Sequence, residues 1–381
     1  MHITQPTPIQ AAAIPPLLEG RDIIGQACTG SGKTLAFGLP LIESIDERSR
    51  ALQALVLVPT RELAQQVGGV LKQITAGTGI RLAVVYGGQA IGPQQETLRQ
   101  GCQIVVGTPG RIIDHLARRS LRADAVRYLV LDEADEMLDR GFAPDVERII
   151  ATTPKERQTS LFSATTPEWV QNVSARYLRS PLLIQMDLEA GDGLAIEHEV
   201  CEVWHEDKFS VLRKLLDQET EGATLVFGRT KHGVRNLGEK LIRLGYEVDV
   251  LQGNLSQPQR DRVIKRFRDG STPILVATNV AARGLDVLHI ERVINYELPE
   301  THELFTHRVG RTGRMGRAGR AITLLGPADL PKWHEIERGL GRKLPRVTPE
   351  GEPVAAIPAS LTARSPGRHT RFARRRFAVR A

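Results

Sequence analysis

The stretch Ala27-Cys28-Thr29-Gly30-Ser31-Gly32-Lys33-Thr34 carries residue types and a spacing suited to binding a nucleotide's phosphates. Glycines at 30 and 32 allow a tight turn whose backbone N–H groups point inward, and a helix starting behind the turn adds the positive end of its dipole. Thr29, Gly30, Ser31 and Gly32 form the cradle. Lys33 is placed to reach the β- and γ-phosphate oxygens, and the Thr34 hydroxyl to hold Mg²⁺. The usual pattern opens with glycine, where this chain has Ala27. Taken alone, the stretch also reads as a flexible Gly/Ser turn with a stray lysine.

Two further clusters bear on such a site. Asp132 and Glu133 follow the apolar run Tyr128-Leu129-Val130-Leu131. At a buried strand end, Asp132 suits Mg²⁺ and Glu133 suits orienting and deprotonating an attacking water. The competing reading is an acidic run that caps the next helix. The second cluster is His307-Arg308-Val309-Gly310-Arg311-Thr312-Gly313-Arg314. By itself it reads equally well as a basic surface loop. Transfer of a γ-phosphoryl group, however, spreads negative charge that cations must meet. The first half supplies only Lys33, so arginines from elsewhere in the chain are natural donors in cis.

The elements that must position these residues are legible as apolar runs. Asp22–Gly25, Ala54–Val58, Leu82–Tyr86, Gln103–Gly107, Tyr128–Leu131 and Thr159–Phe162 read as strands, separated by helical stretches. Each ends in polar or glycine residues. In an open parallel sheet ligands bind beyond the carboxyl ends of the strands, so these ends converge on one edge. A second series follows, with strands at Glu199–Trp204, Thr224–Phe227, Glu247–Leu251, Ile274–Ala277, Arg292–Tyr296 and Ala321–Leu325. It has no phosphate loop of its own. The expected organisation is α/β, with a nucleotide-binding domain over 1–187, a linker over 188–198, a second domain over 199–345 and a Pro/Arg-rich, disordered tail over 346–381.

Composition narrows the function classes. No apolar run is long enough to span a membrane, and the N-terminus lacks a signal peptide's layout. Cys28, Cys102 and Cys201 are few and widely spaced, which gives no metal or disulfide framework and fits a reducing cytoplasm. The formal charge is +7, and seven arginines without an acid lie between Arg364 and the C-terminus. Residues 1–363 are therefore formally neutral, and the excess sits in the tail.

The motifs in order resemble the DEAD-box ATP-dependent RNA helicase family, which implies two tandem RecA-like domains. They are Pro6–Gln10 with its PTPIQ sequence, ACTGSGKT, PTRELA at Pro59–Ala64, Gly87-Gly88, TPGR at Thr108–Arg111, DEAD at Asp132–Asp135 and SAT at Ser163–Thr165. In the second half follow VFGRT at Val226–Thr230, ATNVAARGLD at Ala277–Asp286 and HRVGRTGR at His307–Arg314. The resemblance implies ATP and Mg²⁺ as cofactors and RNA as partner. It implies adenine recognition by Gln10, nucleotide contact across a cleft by Asp286, and arginine fingers at Arg311 and Arg314. Ser163 and Thr165 are implied to couple the nucleotide site to the domain interface. Arg61, Gly88, Thr108, Arg111, Arg229, Gly253 and Thr278 are implied to line the RNA path, mostly against its backbone. The implied activity is RNA-stimulated ATP hydrolysis with local strand separation. The alternative is an ATP-gated clamp that remodels RNA–protein complexes without unwinding.

This chain departs from the family pattern in three places. The family's aromatic residue about 17 positions before the glutamine would fall ahead of the given sequence, in which nine residues precede Gln10, so either the start is truncated or adenine is held more weakly. Asn279 stands where Asp is common, and Gln252 where His is common. Trp169, Trp204 and Trp333 are expected to pack rather than to stack on bases.

The tail's charge gives a first prediction. Each phosphate neutralised on a single strand contributes a slope of about −0.7 in log K against log salt, so seven arginines reach at most roughly −5. Deleting residues 364–381 should flatten the salt dependence of RNA binding and raise the RNA concentration for half-maximal ATPase. Turnover at saturating RNA should hold. Identical ATPase curves for full-length and truncated chains at two salt levels would contradict it.

Overall fold

The computed structural model describes residues 4–27, 30–186, 196–204, 207–282, 285, 287, 289–313 and 317–348. The sequence-read linker falls mainly on residues outside this set, as do the arginine-rich tail, Cys28, Thr29, Asp286 and Arg314.

The first half runs α1 (Pro8–Leu18), β1 (Ile23–Gln26), α2 (Lys33–Glu43), β2 (Ala54–Leu57), α3 (Arg61–Ile74), β3 (Leu82–Val85), α4 (Ile91–Arg99) and β4 (Ile104–Gly107). It continues with α5 (Pro109–Ala117), β5 (Tyr128–Leu131), α6 (Ala134–Asp139), α7 (Ala143–Ile150), β6 (Gln158–Ser163), α8 (Glu168–Tyr177) and β7 (Leu182–Gln185). The second half has β8 (Ile196–Glu202), α9 (Lys208–Leu216), β9 (Ala223–Gly228), α10 (Lys231–Arg243), β10 (Val248–Leu251), α11 (Gln257–Arg268) and β11 (Ile274–Thr278). It closes with α12 (Asn279–Ala282), β12 (Ile290–Asn295), α13 (His302–Val309), β13 (Gly319–Leu325), α14 (Leu330–Leu340) and β14 (Arg346–Val347).

Each half is one seven-stranded sheet, in the orders β3-β4-β2-β5-β6-β1-β7 and β10-β11-β9-β12-β13-β8-β14. These are the same order twice, and the paired strands run parallel. The fold is α/β with two tandem RecA-like domains. Helices cover both faces, so the central strands are apolar throughout. On β2, Leu55 and Leu57 enter one core and Ala54 and Val56 the other, all with no exposure.

The twelve strands read from the sequence are all present, with ends shifted by a few residues. Two more were not read, β7 and β14. Both are short edge strands with half-exposed residues, so they lack the continuous apolar run that marks the interior strands. Trp333 is fully buried, and Trp169 packs at a core margin with Nε1 donating to Glu147. Trp204 is 59% exposed, against the packing expectation.

Glycine lets helices lie close on the sheet at equivalent places in the two halves. A Cβ on Gly68 of α3 would meet Val84 Cγ2 at 2.4 Å, and one on Gly238 of α10 would meet Val250 Cγ2 at 2.2 Å. The next residue, Gly69, faces open space. Gly68→Ala should lower the urea midpoint, by about 1–2 kcal/mol of stability, because overpacking outweighs helix propensity. Gly69→Ala should be neutral or stabilise by up to about 1 kcal/mol. Equal effects of the two substitutions would contradict this packing account.

Candidate active site at the cleft between the halves

The phosphate loop joins β1 to α2. Gly30 and Gly32 have φ of 86° and 95°, conformations that glycine adopts without strain. A Cβ at Gly32 would lie 2.6 Å from Gln10 Nε2. Gln10 is buried and fastens α1 to the loop. Its Oε1 accepts from the Thr7 N–H at 3.0 Å, and its Nε2 donates to the Gly32 carbonyl at 3.1 Å. Each amide group retains one further hydrogen-bonding valence. Lys33, 6% exposed, donates to the Ala27 carbonyl at 3.0 Å and lies 4.0 Å from Asp132 Oδ1. Ser31 is half-buried within the loop, and Thr34 is half-buried in the first turn of α2.

The acidic residues follow β5, the sheet's central strand. Asp132 is 2% exposed, and burial pushes its pKa up to about 6 despite Lys33. Asp132 Oδ1 also accepts from the Glu133 N–H at 3.0 Å. Among the described residues no group of three or more His, Cys, Asp or Glu forms a metal cage. A single buried carboxylate, Asp132, beside the phosphate-loop lysine instead suits Mg²⁺ brought in on phosphates, since that ion keeps water and phosphate ligands. Glu133 has φ 53° and ψ 55°, an uncommon left-handed conformation for a non-glycine residue, and begins α6.

Asp135 is the hub. Its Oδ2 accepts from the N–H groups of Ala164 and Thr165 at 3.1 and 2.9 Å and from the Thr165 hydroxyl at 3.0 Å. Its own N–H donates to Ser163 Oγ at 3.2 Å. His307 Nε2, from the second half, lies 3.6 Å from the same Oδ2. Burial alone would raise the Asp135 pKa, but His307, Lys33 and the Thr165 N–H together hold it well below the usual carboxylate range. Lys33, Glu133, Asp135, Glu136, Ala164, His307 and Arg311 line one cavity here. Arg311 is 4% exposed and is held by the carbonyls of His307 and Leu285, at 3.2 and 3.1 Å.

The remaining candidates gather along matching edges. Arg61, Gly88 and the Thr108–Arg111 turn follow β2, β3 and β4, which are neighbours in the first sheet. Arg229, Gly253 and Thr278 sit at the corresponding ends of β9, β10 and β11 in the second. Arg61 reaches across the cleft, where its Nη1 donates to Gln257 Oε1 at 2.7 Å. Arg111 is 9% exposed, with Nη2 donating to the Gln89 carbonyl at 3.0 Å. Arg229 and Gly253 are exposed, and Thr278 is 7% exposed. Asn279 accepts from Arg308 Nε, so the amide keeps an acceptor where the family commonly has a carboxylate.

Sequence reading assigned no role to the pair Glu62 and Arg260, which bridges the halves as an ion pair. Arg260 Nη2 also donates to the Ala281 carbonyl at 2.6 Å. The available signal was the i, i+3 spacing of Gln257 and Arg260 on α11, which puts both on one helix face. Nothing in the sequence says that this face meets Arg61 and Glu62.

The duplicated sheets, with Arg311 and His307 of the second half lining one cavity with Lys33 of the first, define a tandem RecA-like protein. Comparisons agree with that class. A DEAD/DEAH box helicase model matches residues 7–173, and a helicase conserved C-terminal domain model matches residues 207–316. An ATP-dependent RNA helicase CshA of Listeria monocytogenes is 47% identical over 87% of this chain and 64% of its own length. A DEAD-box ATP-dependent RNA helicase CshA of Geobacillus kaustophilus is 44% identical over 92% of this chain and 75% of its own. S. cerevisiae Dbp5 bound to RNA and ADP BeF3 superposes with a TM-score of 0.83 at 32% identity, covering 91% of both chains. A DEAD box protein from Methanococcus jannaschii gives 0.57 at 40% identity, covering 90% of this chain and 93% of its own. The chain therefore belongs to the DEAD-box family of ATP-dependent RNA helicases.

Proposed function

We propose that this protein is an RNA-stimulated ATPase that separates short RNA duplexes locally, as its two halves close on ATP and one RNA strand. The observation that carries the reading is the shared hub. Asp135 is bonded at once to the Ser163–Thr165 turn and faced by His307 of the second half, beside Lys33 and Arg311. The likeness to Dbp5 in its RNA- and nucleotide-bound form supports a closed arrangement.

In this reading the backbone N–H groups of residues 29–32 and Lys33 hold the phosphates, and Gln10 reads the adenine with its spare amide valences. Thr34 and Asp132 would hold Mg²⁺, which when bound neutralises phosphate charge. Glu133 accepts a proton from the attacking water. Arg311 and Arg314 meet the charge that develops on the transferred phosphoryl group, and Asp286 contacts the nucleotide from the second half. Ser163 and Thr165 transmit the state of Asp135 to the interface. Arg61, Gly88, Thr108, Arg111, Arg229, Gly253 and Thr278 grip RNA along its backbone, which makes binding tolerant of sequence. A closed cleft admits one bent strand and sheds the partner. Hydrolysis removes the γ-phosphate that held the halves together.

Two substitutions and one assay test this. Glu133→Gln should keep ATP and RNA binding but stop turnover, because shape survives while the base is lost. Arg311→Ala should lower turnover at least about a hundredfold with ATP affinity little changed, in line with other arginine fingers. Parental turnover in either variant would contradict the assigned role. A gel assay with short RNA and DNA duplexes, with and without ATP, should show ATP-dependent opening of RNA. Binding and ATPase without strand release would favour the clamp.

A further inference from the structure

Behind the loop that follows β3 lies a buried polar chain that the proposed reaction does not use. Gln94, on α4, is 9% exposed, and His115, on α5, is fully buried. Gln94 Nε2 donates to the Tyr86 carbonyl at 3.1 Å. His115 Nε2 lies 3.4 Å from Gln94 Oε1, and its Nδ1 lies 2.8 Å from Ser120 Oγ. Burial, helped by the charge of Arg111, lowers the His115 pKa, so the ring is neutral and has one N–H. Gln94 Oε1 can only accept. The ring therefore meets Gln94 with its proton on Nε2, while Ser120 Oγ lies within reach of both Nδ1, at 2.8 Å, and the His115 carbonyl, at 3.3 Å.

This chain ends on the loop that carries Gly87 and Gly88. Tyr86 is the residue just before the two glycines, and its ring hydroxyl is separately held by Gln65 Nε2 at 2.7 Å. Just after them, the Gln89 carbonyl is held by Arg111, one helical turn before His115 on α5. Gly88 has φ 80°, and a Cβ there would lie 2.1 Å from Arg61 Nη1. The loop is thus fixed at one end by α4 and at the other by α5, and it lies directly against Arg61. A buried amide with both ends engaged is costly to leave half-satisfied.

We infer that Gln94 and His115 are positioning residues for RNA binding. They fix the Gly87-Gly88 loop so that its backbone, Arg61 and Arg111 meet one strand as a single surface. The inference rests on the RNA-binding reading above. It assigns neither residue to contact with RNA, and it separates them from the ATP site. The expected signature is therefore a change in RNA half-saturation without a change in saturated turnover.

The test is RNA-stimulated ATPase of the full chain, titrated with a single-stranded RNA oligonucleotide, with thermal melts alongside. Gln94→Met removes both hydrogen bonds at similar volume. Gln94→Glu keeps the acceptor for His115 but sets a carboxylate oxygen against the Tyr86 carbonyl. Both should raise the RNA concentration for half-maximal activity about five- to tenfold, as expected for the buried hydrogen bond to the Tyr86 carbonyl that both variants lose. Turnover at saturating RNA and the ATP half-saturation should stay within about twofold. His115→Gln, which retains an N–H near Nε2, should keep RNA half-saturation near the parent value. A lower melting temperature with parental RNA half-saturation overturns the inference and leaves the pair to packing alone. A matching loss in saturated turnover also overturns it. A parent chain whose ATPase ignores RNA overturns the RNA-binding reading and this inference with it, whereas a stimulated parent with unaffected variants overturns only the latter.

Discussion

Negative charge buried at the end of β5 is the constraint on which the rest of the molecule depends. Asp132, Glu133, Asp135 and Glu136 lie within five residues of one another, and each is at most 8% exposed. Burying carboxylates is unfavourable unless cations and hydrogen-bond donors meet them. The first half supplies Lys33 to Asp132, the 164–165 backbone to Asp135, and Arg140 to Glu136 at 2.6 Å. The second half adds His307 and Arg311. An acidic centre half-compensated by one domain draws on the other domain and on the cation that accompanies a nucleotide. If a nucleotide binds here as proposed, docking of the halves and ligand binding are linked in free energy, and linkage of that kind is reciprocal.

The edge proposed to face RNA follows the same logic at a distance. Arg61 and Glu62 are consecutive at the start of α3, and both are engaged by α11 of the second half. Arg260 joins Glu62 to the Ala281 carbonyl, at the end of the helix that follows Thr278. Contacts across the cleft are thus made by the same short segments that are proposed to present residues to the strand. In the proposed reading, closure around ATP and the grip on RNA are two views of one arrangement, so each ligand would favour the conformation the other needs.

The interior of both sheets was legible because parallel strands buried on both faces leave continuous apolar runs such as Ala54–Leu57 and Ile274–Thr278. The tight turn between β1 and α2 was legible because glycine adopts the backbone at 30 and 32 without strain. The edge strands β7 and β14 were not, because one half-buried face leaves little pattern in four residues or two. Pairings across the cleft were not legible either. Glu62 with Arg260, and Asp135 with His307, are separated by well over a hundred residues, and their meeting depends on how two whole domains dock. The buried chain from Ser120 through His115 and Gln94 to Tyr86 escaped for the opposite reason. Histidine and glutamine on helices read as ordinary solvated positions until packing removes the water.

The central claim is that the halves close around ATP and RNA together, and that hydrolysis occurs only in that arrangement. It is tested most directly by single-molecule energy transfer between dyes on either side of the cleft, flanking the Asp135–His307 contact. With RNA and a non-hydrolysable ATP analogue both present, the account predicts one narrow, high-transfer population. With either ligand alone it predicts a broader, low-transfer population. A distribution that stays the same under all these conditions, in protein that hydrolyses ATP with RNA, would contradict it.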